Sequence, residues 1–155
     1  AAAAKKLTVG GTVLLTILNS EYGVPTDELI QAVQTAIDPE QNAGEGYGIA
    51  PIGHIVTVEK AKAVNIAVKT NISFDVGYGW NNLQSSINEA IQGYLLELRK
   101  TWADNPYLVV RISQIETRIL SIPGVVDIGN TRINAKADNL TLGKFEVPVF
   151  GGASA

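Results

Sequence analysis

The run from Gly46 to Val76, GYGIAPIGHIVTVEKAKAVNIAVKTNISFDV, constrains this chain more than any other segment. It passes through a tight Gly/Pro turn at Gly48, Pro51 and Gly53 into two β-rich stretches, with no catalytic group between them. In the second stretch Val64, Ile66, Val68, Ile72, Phe74 and Val76 all fall on even positions, and Asn65, Lys69, Asn71, Ser73 and Asp75 alternate with them. A period of two marks a strand with one buried and one wet face. Wholly parallel sheets are covered on both sides and lose that alternation, so an antiparallel or mixed sheet is expected. The segment reads as scaffold.

The flanking sequence supplies the remaining elements. Leu7, Val9, Val13, Leu15 and Ile17 alternate with Thr8, Thr12 and Thr16, which reads as one half-buried strand over Leu7–Leu18. Thr26 is placed to cap a helix whose first turn carries Asp27 and Glu28, favourable at the positive helix end. Leu29, Ile30, Val33, Ala36 and Ile37 give that helix an apolar face, and Asp38-Pro39 ends it. Leu83, Ile87, Ile91, Tyr94, Leu95 and Leu98 recur at helical spacing between Trp80 and Trp102. A strand is expected over Tyr107–Ile112. Ser113 and Glu116 have the spacing of a capping box for a short helix that Pro123-Gly124 stops. Val125–Ile133 returns as a strand, and Phe145, Val147 and Val149 mark a last one, placed at a sheet edge because Pro148 has no amide to donate.

The expected fold class is therefore α+β, with two small β-α-β-type subdomains whose helices pack on one face of mixed or antiparallel sheets. Residues 1–4 read as a remnant or unassigned sequence, 5–60 as the first subdomain and 61–155 as the second. A chain of 155 residues with 46% apolar and 17% charged residues has enough apolar surface to fold. Its net charge of −3 and dispersed lysines give no attraction to phosphate, so nucleic acid is not an expected partner. Without cysteine there is no disulfide and no thiolate metal site. No apolar stretch approaches the ~20 residues needed to span a bilayer, so no membrane insertion is expected.

Candidate chemistry is sparse. His54 is the single imidazole, with no second His or Cys to complete a metal site, and it reads as structural. Neither Ser73 nor Ser113 lies in a Gly-x-Ser-x-Gly elbow. Asp27, Glu28, Glu45, Asp75, Asp104 and Asp127 sit mostly in turns and helix starts, where local hydrogen bonding accounts for them. The loop Gly44-Glu45-Gly46-Tyr47-Gly48 precedes a strand, whereas a phosphate-cradling loop follows one and opens a helix. No catalytic residue, cofactor or metal is expected. Tyr78, Trp80 and Trp102 remain as aromatic candidates for packing against a partner.

Several of these pieces, in their order, resemble the baseplate J-like proteins of contractile phage tails. They are Thr26 to Val33, the Asp38-Pro39 stop, Gly48-Ile49-Ala50-Pro51-Ile52-Gly53, Gly77-Tyr78, Ser113, Ile122-Pro123-Gly124-Val125-Val126-Asp127 and Glu146-Val147-Pro148-Val149. The likeness runs from about Thr12 to Val149 and looks like the C-terminal half of such a protein. It implies a structural, non-enzymatic component of a phage, prophage or phage-derived tail baseplate, assembled in the host bacterial cytoplasm. The partners it implies are other baseplate and tail proteins, with several copies around the tail axis. Gly48, Pro51, Gly53, Ser113, Pro123 and Gly124 would then be structural turns and caps. Two other readings are a ligand-binding module of a larger secreted or surface protein, using Tyr78, Trp80 or Trp102, and a hydrolase relying on Asp75 or Glu45.

Overall fold

The computed structural model describes all 155 residues, which form two compact units, Ala1–Lys62 and Ala63–Ala155. In the first, β1 (Ala3–Val9) and β2 (Thr12–Leu18) form an antiparallel hairpin, α1 (Asp27–Ile37) crosses over, and β3 (Ile55–Lys60) returns parallel to β2. The single strand expected over Leu7–Leu18 is thus two strands. Gly10 and Gly11 both have positive φ (53° and 89°) and close a two-residue turn that L-residues other than Asn or Asp rarely make.

The turn changes which face each apolar residue occupies. Leu7 pairs with Leu14 and Val9 with Thr12, so Leu7 and Val9 lie on the face opposite Val13, Leu15 and Ile17. The latter three pack with Ala50, Val56 and Val58 against Ile30, Val33 and Ile37 of α1. Thr26 caps α1 through Oγ1, which accepts from the Leu29 amide at 3.3 Å. Ala36, assigned to the apolar face from spacing, is exposed, and Gln34 is buried instead.

Gln34 and Asp38 organise the outer edge of β3. Gln34 Nε2 donates to the Asp38 carbonyl (2.6 Å) and the Val56 carbonyl (2.7 Å), while its Oε1 accepts from the Val58 amide (2.7 Å). The buried Asp38 carboxylate accepts from the amides of Gly44 and Val56, both at 2.9 Å. One amide side chain therefore does the work of a missing neighbouring strand.

The second unit contains β4 (Lys62–Phe74), α2 (Trp80–Lys100), β5 (Val109–Val110), α3 (Ile112–Leu120), β6 (Val125–Ile133), β7 (Leu140–Thr141) and β8 (Glu146–Ser154). The sheet order is β6-β4-β8, with β6 antiparallel to β4 and β8 at an edge; β5 and β7 form a separate two-stranded ladder. The unit is α+β with an antiparallel β4–β6 pair, as the expected fold class requires, and its path from β4 to β6 is β-α-α-β, because two helices bring the chain back in the opposite direction. Ile66, Val68 and Thr70 of β4 are buried, whereas Asn65, Ala67, Lys69 and Asn71 are exposed, so one face of the strand is wet as its alternation requires. Helix α2 lies against β8 and α3, and α3 against β6.

Arg118 of α3 ties that helix to α2. Its Nη1 donates to Glu97 Oε1 at 3.2 Å, and its guanidinium sits 5.0 Å from the Tyr94 ring centroid. The hydrogen bond from Arg118 holds the Glu97 carboxyl below its ordinary value of 4.5. A depressed carboxyl adds stability above its unfolded-state pKa and loses it as pH falls through the folded-state value. Glu97→Gln should therefore lower Tm slightly at neutral pH, by little because the carboxylate is solvated, and flatten the acid limb of a Tm-against-pH profile below about pH 4.5 until the two proteins converge. Superimposable acid limbs for the two proteins would contradict this.

Candidate assembly surfaces

Two Gly/Pro turns, one in each unit, present clusters of exposed apolar side chains. In the first, Pro51 O accepts from the His54 amide (3.1 Å), with Gly53 at φ 84° in the third position of the turn. Only a residue tolerant of the left-handed region fits there. The segment before it closes the C-terminal end of α1, as the Ile49 and Ala50 amides donate to the Ala36 and Ile37 carbonyls at 3.1 and 2.8 Å. Gly48 lies so close to these two carbonyl oxygens that any Cβ would overlap them. The loop is fixed by these bonds, yet it presents Tyr47, Ile49 and Ile52 to solvent, each more than 70% exposed. His54 is exposed beside it.

In the second unit the Val125 amide donates to the Ile122 carbonyl (3.1 Å), with Pro123 and Gly124 in the middle of the turn and Gly124 at φ 97°. The Asp75 amide donates to Gly124 O at 2.9 Å, and the Tyr78 ring lies over Gly124. This joins Gly77-Tyr78 to Pro123-Gly124 and leaves Val76, Tyr78, Leu120 and Val126 exposed. A Cβ on Gly124 would stand 2.5 Å from Tyr78 Cδ1, whereas one on Gly53 would meet nothing within 4 Å. Gly124→Val should therefore cost about 2–4 kcal/mol, from a forbidden φ plus overpacking. Gly53→Val should cost about 1–2 kcal/mol from φ alone. Urea unfolding of both variants checks the order, and equal losses would overturn it.

Other sequence candidates are placed differently. Trp102 has no exposed surface, so it is a core residue and not a partner contact. Its spacing from Leu95 and Leu98 continues the buried stripe of α2. Trp80, the first residue of α2, is half-buried. Ser113 does not cap α3: the helix starts at Ile112, whose amide donates to Asn139 Oδ1 at 2.9 Å, and the Ser113 carbonyl accepts from Thr117 Oγ1. A cap supplied from 27 residues away leaves no local signature.

The carboxylates serve local geometry. Asp75 and Asp127 accept from the next residue's amide (2.7 and 2.9 Å), Glu45 from Asn42 Nδ2 (3.0 Å), and Asp27 pairs with Lys60 at 3.1 Å on the surface. No three His, Cys, Asp or Glu side chains come together as metal ligands, and no helix is long and apolar enough to cross a membrane. A hollow of about 370 Å³ at the end of α1 is lined by Gln31, Gln34, Thr35, Pro39, Glu40, Gln41 and Asn42, with Glu40 as its one ionisable side chain and no second carboxylate, Ser, Cys or His beside it. Gln34 and Asp38, which organise β3, drew no attention in the sequence beyond the Asp-Pro helix stop.

The family model for the baseplate J-like central domain matches residues 1–60, and that for the baseplate J-like protein C-terminal domain matches residues 65–155. The chain belongs to the baseplate J-like family. Among curated relatives, it is 33% identical over 141 residues to the phage-like element PBSX protein XkdT of Bacillus subtilis and 35% identical over 143 residues to the uncharacterized protein YqbT of the same species. Each alignment covers 91% of this chain and 38% of the relative, so the chain spans well under half the length of either. A chain in the baseplate of the anti-feeding prophage has a similar fold, with a TM-score of 0.51 at 10% identity over 90% of this chain and 29% of that one. The two matched segments meet between residues 60 and 65, and the two compact units meet at Lys62.

Proposed function

We propose that this chain is a structural part of the baseplate of a contractile phage, prophage or phage-derived tail, acting through protein–protein assembly and not through catalysis. The observation that carries the reading is the succession of the family's central and C-terminal domains along one chain. The rigid Gly/Pro turns that expose Tyr47, Ile49 and Ile52 in one unit and Val76, Tyr78 and Val126 in the other support it, because apolar side chains on fixed backbone suit burial against neighbours. Its partners in this reading are other baseplate and tail proteins, with several copies around the tail axis and assembly in the host cytoplasm before particles are released. The contraction-linked rearrangement that baseplates undergo would then act on these surfaces.

Disruption of the gene in its source strain, followed by complementation, tests the reading. Electron microscopy should show sheathed tails with baseplates lost on disruption and restored by the complementing copy. Normal contractile particles in the disrupted strain would overturn it. A double substitution, Ile49→Asp with Ile52→Asp, should leave the fold intact yet fail to complement.

A further inference from the structure

We propose that the free edge of β1 is a docking site for an extended strand of another protein, one that carries a carboxylate opposite Lys6 and apolar side chains beside Leu7 and Val9. A sheet edge is a row of unpaired amides and carbonyls, and folded proteins close such edges unless they use them. The two three-stranded sheets have four edges, and three carry features that cover or disrupt them. Along β3, Gln34 and Asp38 take up the outward groups of Val56 and Val58. In β8, Pro148 has no amide and its carbonyl accepts from Arg99 Nη1 at 2.9 Å. The pairing of β6 with β4 is interrupted at Lys69/Asn71 and again at Ser73/Phe74, and Asn130 has φ 53°.

β1 has no proline, no bulge and no side chain laid along its edge, and the one protective feature it carries is the charge of Lys6. Its register with β2 is unbroken over seven pairs, from Ala3 with Leu18 to Val9 with Thr12, and β2 is the one element it contacts extensively. The two-residue turn makes Val9 and Thr12 a hydrogen-bonded pair, so Val9, Leu7, Lys5 and Ala3 bond to β2. Ala4, Lys6 and Thr8 consequently turn their amides and carbonyls outward, and all three are exposed.

Side chains say what kind of strand fits. Lys5 is buried, which leaves Lys6 as the one solvent-facing charge along this edge. Pairing with a second copy would bring another Lys5-Lys6 against it, which like-charge repulsion disfavours, so a different protein with Asp or Glu at that place is the better occupant. On the opposite face Val9, Thr12 and Ile55 form one row across the sheet, with Val9 66% and Ile55 46% exposed. An added strand would continue that row and cover Val9 and Leu7.

The inference concerns only this edge and stands whether or not the protein serves a baseplate. Its test is titration of the full chain with a capped peptide of sequence Thr-Val-Glu-Val-Glu-Val-Thr, followed by amide NMR. Saturable shifts and slowed exchange at Ala4, Lys6 and Thr8 are expected. Lys6→Pro removes an outward amide without touching the β1–β2 bonds and should weaken binding about fivefold to tenfold. Lys6→Glu keeps every backbone group and should reverse the preference between this peptide and one with Lys in place of Glu. Unchanged amides at saturating peptide, or equal affinity in the parent and both variants, would overturn the proposal.

Discussion

Trp102→Ala should destabilise the second unit by about 3–5 kcal/mol, the largest loss expected of any single substitution there. The indole has no exposed surface and follows directly on α2, whose Ile87, Ile91 and Leu95 are equally buried. Truncation removes the transfer free energy of a large aromatic and leaves a cavity that close-packed neighbours only partly refill. Hydrogen-exchange protection of the α2 amides reads the loss directly. A change below about 1 kcal/mol would mean that Trp102 is exposed in solution and would reopen the reading of it as a ligand platform.

Gln34→Leu is the corresponding test in the first unit, and it separates hydrogen bonding from volume. Leucine fills a similar space but leaves the Asp38 carbonyl, the Val56 carbonyl and the Val58 amide without their partner. At about 1–3 kcal/mol for each unsatisfied group, the loss should be roughly 3 kcal/mol or more. Gln34→Glu should be no better, since it keeps the acceptor for Val58 and turns an oxygen towards two carbonyls. The measurement is amide exchange at Val56 and Val58, which should accelerate sharply in both variants. If either variant exchanges like the parent, water or another group must replace the glutamine.

The fold was legible wherever a signal was local. Alternation in β4, the Thr26 cap, the Asp38-Pro39 stop and the long stripe of α2 all lie within a few residues of the structure they specify. Reading failed where parity or distance intervened. A two-residue turn leaves period two uninterrupted along the chain while it exchanges the faces, so Leu7–Leu18 looked like one strand. Gly10-Gly11 between two alternating runs was the signal for the hairpin.

Other misses have related causes. Ser113 lost its cap role to Asn139, and Gln34 looked like an ordinary polar helix residue, because their partners or competitors are more than 20 residues away. Of the aromatic candidates, Trp102 belonged to the periodic stripe of α2, whereas Tyr78 took its position from a contact with Gly124 that no spacing rule reveals. The β1 edge was equally hidden, since it depends on the hairpin.

The central claim, that this is a baseplate component, is tested most directly by difference cryo-electron microscopy of purified tails carrying a compact tag fused to this protein. Extra density at the baseplate, repeated around the tail axis, is the result expected. Tails that contain no tagged protein, or density confined to the sheath or the head, would contradict the account.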